Sequence, residues 1–157
     1  MAGYSGTPLP QKLGIKPNAR LAVVRAPDDF ARTLGALRPG VTPLLLPKAT
    51  SPTSAKEFDV IVCFVRALAD VERDVVALKK RLHPAGGLWF AWPKKIKGKI
   101  RAAVVDSDVT ENELRARGLA SGLVDNKVCA IDEIWSGLRF VVRLADRPTA
   151  AAKSPRR

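Results

Sequence analysis

Five cations crowd into eight residues where an apolar run ends. In the stretch LWFAWPKKIKGKIR the residues 88–92 meet Pro93, and Lys94, Lys95, Lys97, Lys99 and Arg101 follow. Positive charge at this density attracts phosphate-bearing partners, from nucleotides to nucleic acid. Two further stretches carry chemistry of the same sign. YSGTPLPQKLG, at 4–14, sets Tyr4, Ser5 and Thr7 beside a glycine and Lys12, and the backbone N–H groups of such a turn can wrap an anion. VDNKVCAIDEIWSGL, at 124–138, carries Asp125, Lys127, Asp132, Glu133 and Trp135. There Lys127 has acids within reach for a salt bridge, and Trp135 can cap a core. Asp132 and Glu133 are adjacent, so in extended chain they point to opposite faces and make a poor carboxylate pair. Their simpler role is to turn the chain before Trp135. Brought together, Tyr4, Ser5, Thr7, Lys94, Lys95, Lys127 and Trp135 would line one ligand-binding site for a small anionic ligand. The competing reading is that the same residues only lock an N-terminal arm onto a sheet, with the lysines a solvated loop.

Most other chemistries lack their residues. The chain has one histidine, His83, and two distant cysteines, Cys63 and Cys129. That is no metal cluster, and the two cysteines read as reduced thiols in a core. No serine, histidine and acid are spaced to predict a triad. The first apolar run turns through VVRAPDD, with Arg25 and Ala26 where a dinucleotide or S-adenosylmethionine site wants glycines, so those cofactors are not expected in the usual pose. No phosphate-binding loop and no eighteen-residue apolar run occur, so no membrane partner is expected. The N-terminus has no secretory pattern, and its glycine stands third rather than second, which argues against myristoylation. A cytoplasmic protein is the expectation.

The elements that must position these residues follow from periodicity. Hydrophobic residues make up 46% of 157 residues, enough for one core. ARLAVVRAP (19–27) and DVIVCFVR (59–66) are short apolar runs, as strands covered on both faces are. DDFARTLGAL predicts a helix with acids at its start, and VTPLLLP (41–47) a second strand, edge-like because of Pro43. Leu68, Val71, Val75, Leu78 and Leu82 are spaced as one face of a helix. His83 follows it and Pro84, Gly86 and Gly87 end it, so the next strand is GLWFAW. Thr110 with Glu113 fits a capping box and starts another helix. In the last run Leu138, Phe140, Val142 and Leu144 alternate with Arg139, Val141 and Arg143, which suits an antiparallel edge. The fold class is therefore α/β, a three-layer Rossmann-like sandwich with a mostly parallel sheet and a C-terminal antiparallel strand pair. Residues 1–145 form one domain and 146–157 a disordered basic tail.

The plan resembles the nucleotide-binding half of class I methyltransferases, including the PAGG element before LWFAW, and that likeness implies fold alone. The segments YSGTPLPQKLGI, GLWFAWPKK and GLVDNKVCAIDEIWSGLRFV are together similar to those of a bacterial family, the domain of unknown function 3052, over about residues 3 to 144. The resemblance implies a small cytoplasmic bacterial protein and carries over no catalytic residue. Lys94 and Lys95 match its motif; the extension KIKGKIR departs from it.

Charge placement completes the functional expectation. Residues 94–101 contribute a net five positive charges and 146–157 a net three, so these segments hold eight of the net +12. In open α/β sheets ligands sit beyond the carboxyl ends of the strands, which is where strand 88–92 delivers its lysines. The expectation is a binding or regulatory module for a small anionic ligand at that edge. The alternatives are nucleic-acid association through residues 94–101 and the tail, and a divergent methyltransferase-like enzyme.

Overall fold

A computed structural model of the chain describes residues 7–54, 57–94 and 107–148. The elements are, in chain order, α1 (Leu9–Lys12), β1 (Leu21–Val24), α2 (Phe30–Leu34), β2 (Leu44–Leu46), β3 (Phe58–Phe64), α3 (Leu68–Lys79), β4 (Leu82–Pro93), α4 (Glu111–Ala120), β5 (Leu123–Ala130) and β6 (Trp135–Val142). One six-stranded sheet runs in the order β2-β1-β3-β4-β6-β5. Strands β1 to β4 pair in parallel, and β6 is antiparallel to both β4 and β5. The fold is the mostly parallel α/β sandwich expected, closed by an antiparallel pair.

Burial explains the middle of the sheet. Every residue of β1 is buried, and alternate residues feed two cores. Ala22, Val24, Ile61, Cys63, Leu88 and Phe90 face Val71, Val75 and Leu78 of α3 and Leu114 of α4. Leu21, Val23, Val62, Phe64, Trp89 and Ala91 face Phe30 and Leu34 of α2 and the N-terminal arm with Leu9, Leu13 and Ile15. The second helical layer is thin, being two helices of four and five residues. The arm is held by the indole N–H of Trp89, which donates to the Leu13 carbonyl at 3.1 Å in a buried contact.

Three boundaries differ from expectation. Helix α3 ends at Lys79, and His83 belongs to β4 instead of the helix terminus. The strand begins early because Leu82 pairs with Phe58; an irregularity before the Val60–Gly87 pair absorbs Pro84 and Ala85. His83 Nδ1 there accepts the N–H of Ala85 at 2.9 Å. Helix α2 is only five residues, stopped at Gly35 with φ 76°. Strand β6 is not an edge: it lies between β4 and β5, and β5 is the edge. The alternation that suggested an edge comes from Arg139, which lies on the thinly covered face over Gly87 in the space a Cβ would take. The capping of α4 is as expected, with Thr110 Oγ1 accepting the Glu113 N–H at 3.2 Å.

Candidate functional site

Strand β1 has β2 on one side and β3 on the other, so the chain reverses its direction of winding there. The crevice beyond the carboxyl ends of β1 and β3 is where such sheets hold ligands. The first residue past β1 is Arg25, with φ 57°, a left-handed conformation that side-chain-bearing residues seldom adopt. Its own N–H is fixed on the Leu46 carbonyl at 2.9 Å, at the end of β2. Its guanidinium is fixed as well. Nε donates to the Phe64 carbonyl at 3.1 Å, and Nη2 pairs with the Asp74 carboxylate and lies 3.6 Å from Cys63 Sγ. That leaves Nη1 without a hydrogen bond among the described residues.

Asp74 projects from α3 within its apolar stripe, its side chain only 4% exposed against 31% for Arg25. Cys63, fully enclosed beneath them, donates to Asp74 Oδ2 at 3.5 Å. Burial pushes the Cys63 thiol well above its ordinary pKa, and the Asp74 charge pushes it further against the pull of Arg25. A protonated buried thiol is no nucleophile. This triad of side chains is a structural lock on Arg25.

Over the lock lies a cavity of about 330 Å³ lined by Arg25, Pro27, Phe64, Arg66, Asp70 and Trp135. Its apolar wall is built from edge-to-face rings, with Phe64 4.9 Å from both Phe30 and Trp135. Trp135 is positioned by the turn before β6, where Asp132 Oδ1 accepts the N–H groups of Ile134 and Trp135, each at 2.8 Å. The expected turning role of Asp132 is thus observed. Asp70 is engaged by Arg73 at 2.5 Å. Arg66, exposed at the end of β3, has no carboxylate within ion-pair distance among the described residues, and Lys94, just past β4, has none either. Lys94 is tied by its N–H to the Ile134 carbonyl at 2.7 Å, next to the Pro93–Trp135 pair.

The residues singled out in the sequence do not all meet here. Trp135 lines the crevice and Lys94 sits at the same strand end. Thr7 and Lys127 lie in a second cleft of about 540 Å³, with Gln11, Lys12, Val128, Cys129 and Ala130. Lys127 Nζ donates to the Lys12 carbonyl at 2.9 Å instead of meeting an acid, which fastens the arm to β5. Cys129 lines that cleft and is only partly buried, although burial still raises its pKa over the opposing influence of Lys12 and Lys127. Tyr4, Ser5, Lys95, Lys97, Lys99 and Arg101 lie outside the described residues, as do tail residues 149–157. Three residues in or beneath the crevice were not offered as site residues. Arg66 follows the same strand-end rule as Lys94, applied to DVIVCFVR. Arg25 was read only as an obstruction. Asp74 is legible as an acid falling between Val71, Val75 and Leu78 on a helical stripe. Among the described residues no group of histidine, cysteine and acidic side chains could hold a metal, and no helix is long and apolar enough to cross a membrane.

No family model matches the chain, and no curated protein does. Solved structures do. A SAM-dependent methyltransferase from Aquifex aeolicus superposes with a TM-score of 0.59 at 13% identity, over 85% of this chain and 87% of that one. A ribosomal protein methylase from Lactobacillus delbrueckii subsp. bulgaricus gives 0.58 at 11%, over 85% and 74%. The fibrillarin pre-rRNA processing protein of Methanococcus jannaschii gives 0.51 at 16%, over 82% and 68%. At these identities the likeness establishes a methyltransferase-like fold.

Proposed function

We propose that this chain binds a small organic anion in the crevice at the carboxyl ends of β1 and β3. The observation that carries the reading is Arg25. A cofactor-binding turn at the end of the first strand uses glycines so that backbone can approach the ligand. Here an arginine takes that place in a left-handed conformation. Moving it aside would leave the Asp74 carboxylate buried and unpaired, which is costly. A guanidinium held on Asp74 and the Phe64 carbonyl is already ordered at the cavity, so little further ordering is needed when an anion arrives. Arg66 adds charge to the lining and Lys94 at the neighbouring strand end, and Trp135 with Phe64 supplies an apolar wall. The volume lies at the low end for ligand sites, which suits an organic acid or a monophosphate. Binding is preferred to catalysis because, among the described residues, the one carboxylate lining the cavity, Asp70, is held by Arg73 and no histidine or cysteine lines it. The fold likeness favours a second reading, a divergent methyltransferase-like enzyme.

One thermal-shift panel separates the two. It holds inorganic phosphate, citrate, a nucleoside monophosphate and S-adenosylmethionine at matched ionic strength, with wild type and Arg66→Gln. A ligand at a hundred times its Kd stabilises by about 2.7 kcal/mol, several degrees for a chain of this size. A shift with an anion that Arg66→Gln abolishes is the expected result. A shift with S-adenosylmethionine alone, indifferent to Arg66→Gln, would favour the enzyme. No shift with any of the four would end the anion reading.

A further inference from the structure

The opposite faces of the sheet treat their charges differently. On the α3–α4 side each arginine of the two helices has a carboxylate. Arg115 meets Glu111 at 2.5 Å and Asp125 at 3.0 Å, Arg117 meets Glu113 at 2.5 Å and Glu72 at 3.4 Å, and Arg73 meets Asp70. On the arm side of β5 and β6 the cations have none. Lys127 and Arg139 are direct cross-strand partners, and like charges directly opposite destabilise a sheet. Lys12 reaches across from α1 to the Ala130 carbonyl at 3.5 Å. Arg147, past β6, donates to the Val142 carbonyl at 3.1 Å and is close enough to Arg139 to lower its pKa, an effect second to burial. Arg139 itself is half-buried over Gly87, and among the described residues its one side-chain partner is the Asn126 carbonyl oxygen at 3.4 Å. Among the described residues no carboxylate comes within ion-pair distance of Lys12, Lys127, Arg139 or Arg147.

A fold that pairs the arginines of its two longer helices and sets four cations together without carboxylates on the other face retains a local cost, and such costs collect at functional surfaces. We infer that the β5–β6 face, with Lys12, Lys127, Arg139 and Arg147, binds the phosphate backbone of a double-stranded nucleic acid. Charge complementarity argues for a polyanion, since the four groups come from four successive parts of one face instead of converging on a point. Among the described residues the exposed large hydrophobics include no aromatic, which argues against single strands, since these stack bases on such rings. The contacts inferred are charge contacts to phosphates, which carry no sequence information, so the sequence of the duplex should not matter. This surface lies apart from the strand-end crevice and does not depend on the ligand proposed there.

The test is fluorescence anisotropy of the full chain with a labelled DNA duplex, titrated between 50 and 200 mM salt. For about four phosphate contacts the log–log salt slope should be near −3.6. In Arg139→Met/Arg147→Gln an unbranched methionine side chain replaces the guanidinium that lies over Gly87, so the space stays filled while the charge is removed. It should weaken binding roughly tenfold or more at 100 mM salt and make the slope shallower by about two, equally on unrelated sequences. Asn126→Asp is the second variant. It hands Arg139 a carboxylate in place, so it should keep or raise the melting temperature while weakening the duplex. Unchanged affinity in both variants, with loss only in Lys97→Ala/Lys99→Ala, would overturn the assignment. So would equal affinity for poly-glutamate, which would give the face to acidic proteins.

Discussion

Arg25 and Asp74 hold each other, but they are not equally buried, and the difference sets what each substitution costs. Asp74 has 4% of its side chain exposed and Arg25 31%. Replacing Arg25 by Met strands a carboxylate in the core with, among the described residues, only the Cys63 thiol as a partner. The expected loss is about 3–5 kcal/mol. Asp74→Asn should cost clearly less, because the guanidinium it frees can turn toward water. The double variant Arg25→Met/Asp74→Leu should recover most of the loss, since well-packed apolar replacements of a buried pair are often neutral. Urea denaturation of the four proteins checks this, and equal costs for the two single variants would refute the account. Each member of this pair leaves a mark in the chain. Asp74 breaks an apolar helical stripe, and Arg25 stands where glycine was wanted. Their pairing was not legible, because it requires β1 to lie beside β3 and no local pattern states which strands are neighbours.

At the scale of elements, periodicity found what burial dictates and missed what pairing dictates. The continuous apolar runs of β1 and β3 and the stripe of α3 were readable because both cores impose them. The early start of β4 was not, since His83, Pro84 and Ala85 look like a helix stop until Leu82 is placed against Phe58. Strand β6 read as an edge because Arg139 breaks its arm-side face. Packing of α4 shows how tightly the found elements are fitted. A Cβ on Gly118 would fall on the ring of Phe140, so the glycine lets the helix approach β6. Gly118→Ala gains about 1 kcal/mol of helix propensity yet should still be destabilising by about 1–3 kcal/mol, because the ring and helix must part. In a Phe140→Leu background the same change should cost at least 1 kcal/mol less. Chemical denaturation of this double-mutant cycle decides it; strict additivity would mean that the helix relaxes without touching the ring.

For the whole molecule the governing quantity is a net charge of +12 on 157 residues. The paired face contributes little to it, so the excess lies on the arm side of the sheet, at the strand ends, and in segments 95–106 and 149–157 that lie outside the described residues. The sequence showed the amount and its two densest clusters. It could not show that Lys127, Arg139 and Arg147 share a face, because that depends on the β5–β6 register and on the irregularity between Asp125 and Lys127. Unbalanced charge repels itself and opposes compaction. At 10 mM ionic strength the screening length is about 30 Å, so these clusters act on one another across the molecule; at 0.1 M it is about 10 Å and they act only on neighbours. The melting temperature should therefore rise by several degrees between 10 and 150 mM sodium chloride. A charge-balanced protein has no reason to behave so. Asn126→Asp separates the general effect from the local one. By adding one negative charge beside Arg139 it should raise the melting temperature most at 10 mM salt and hardly at all at 150 mM. Scanning both proteins at the two salt concentrations reads the difference directly. A gain independent of salt would mean that hydrogen bonding at Arg139, and not relief of repulsion, is what the new carboxylate supplies.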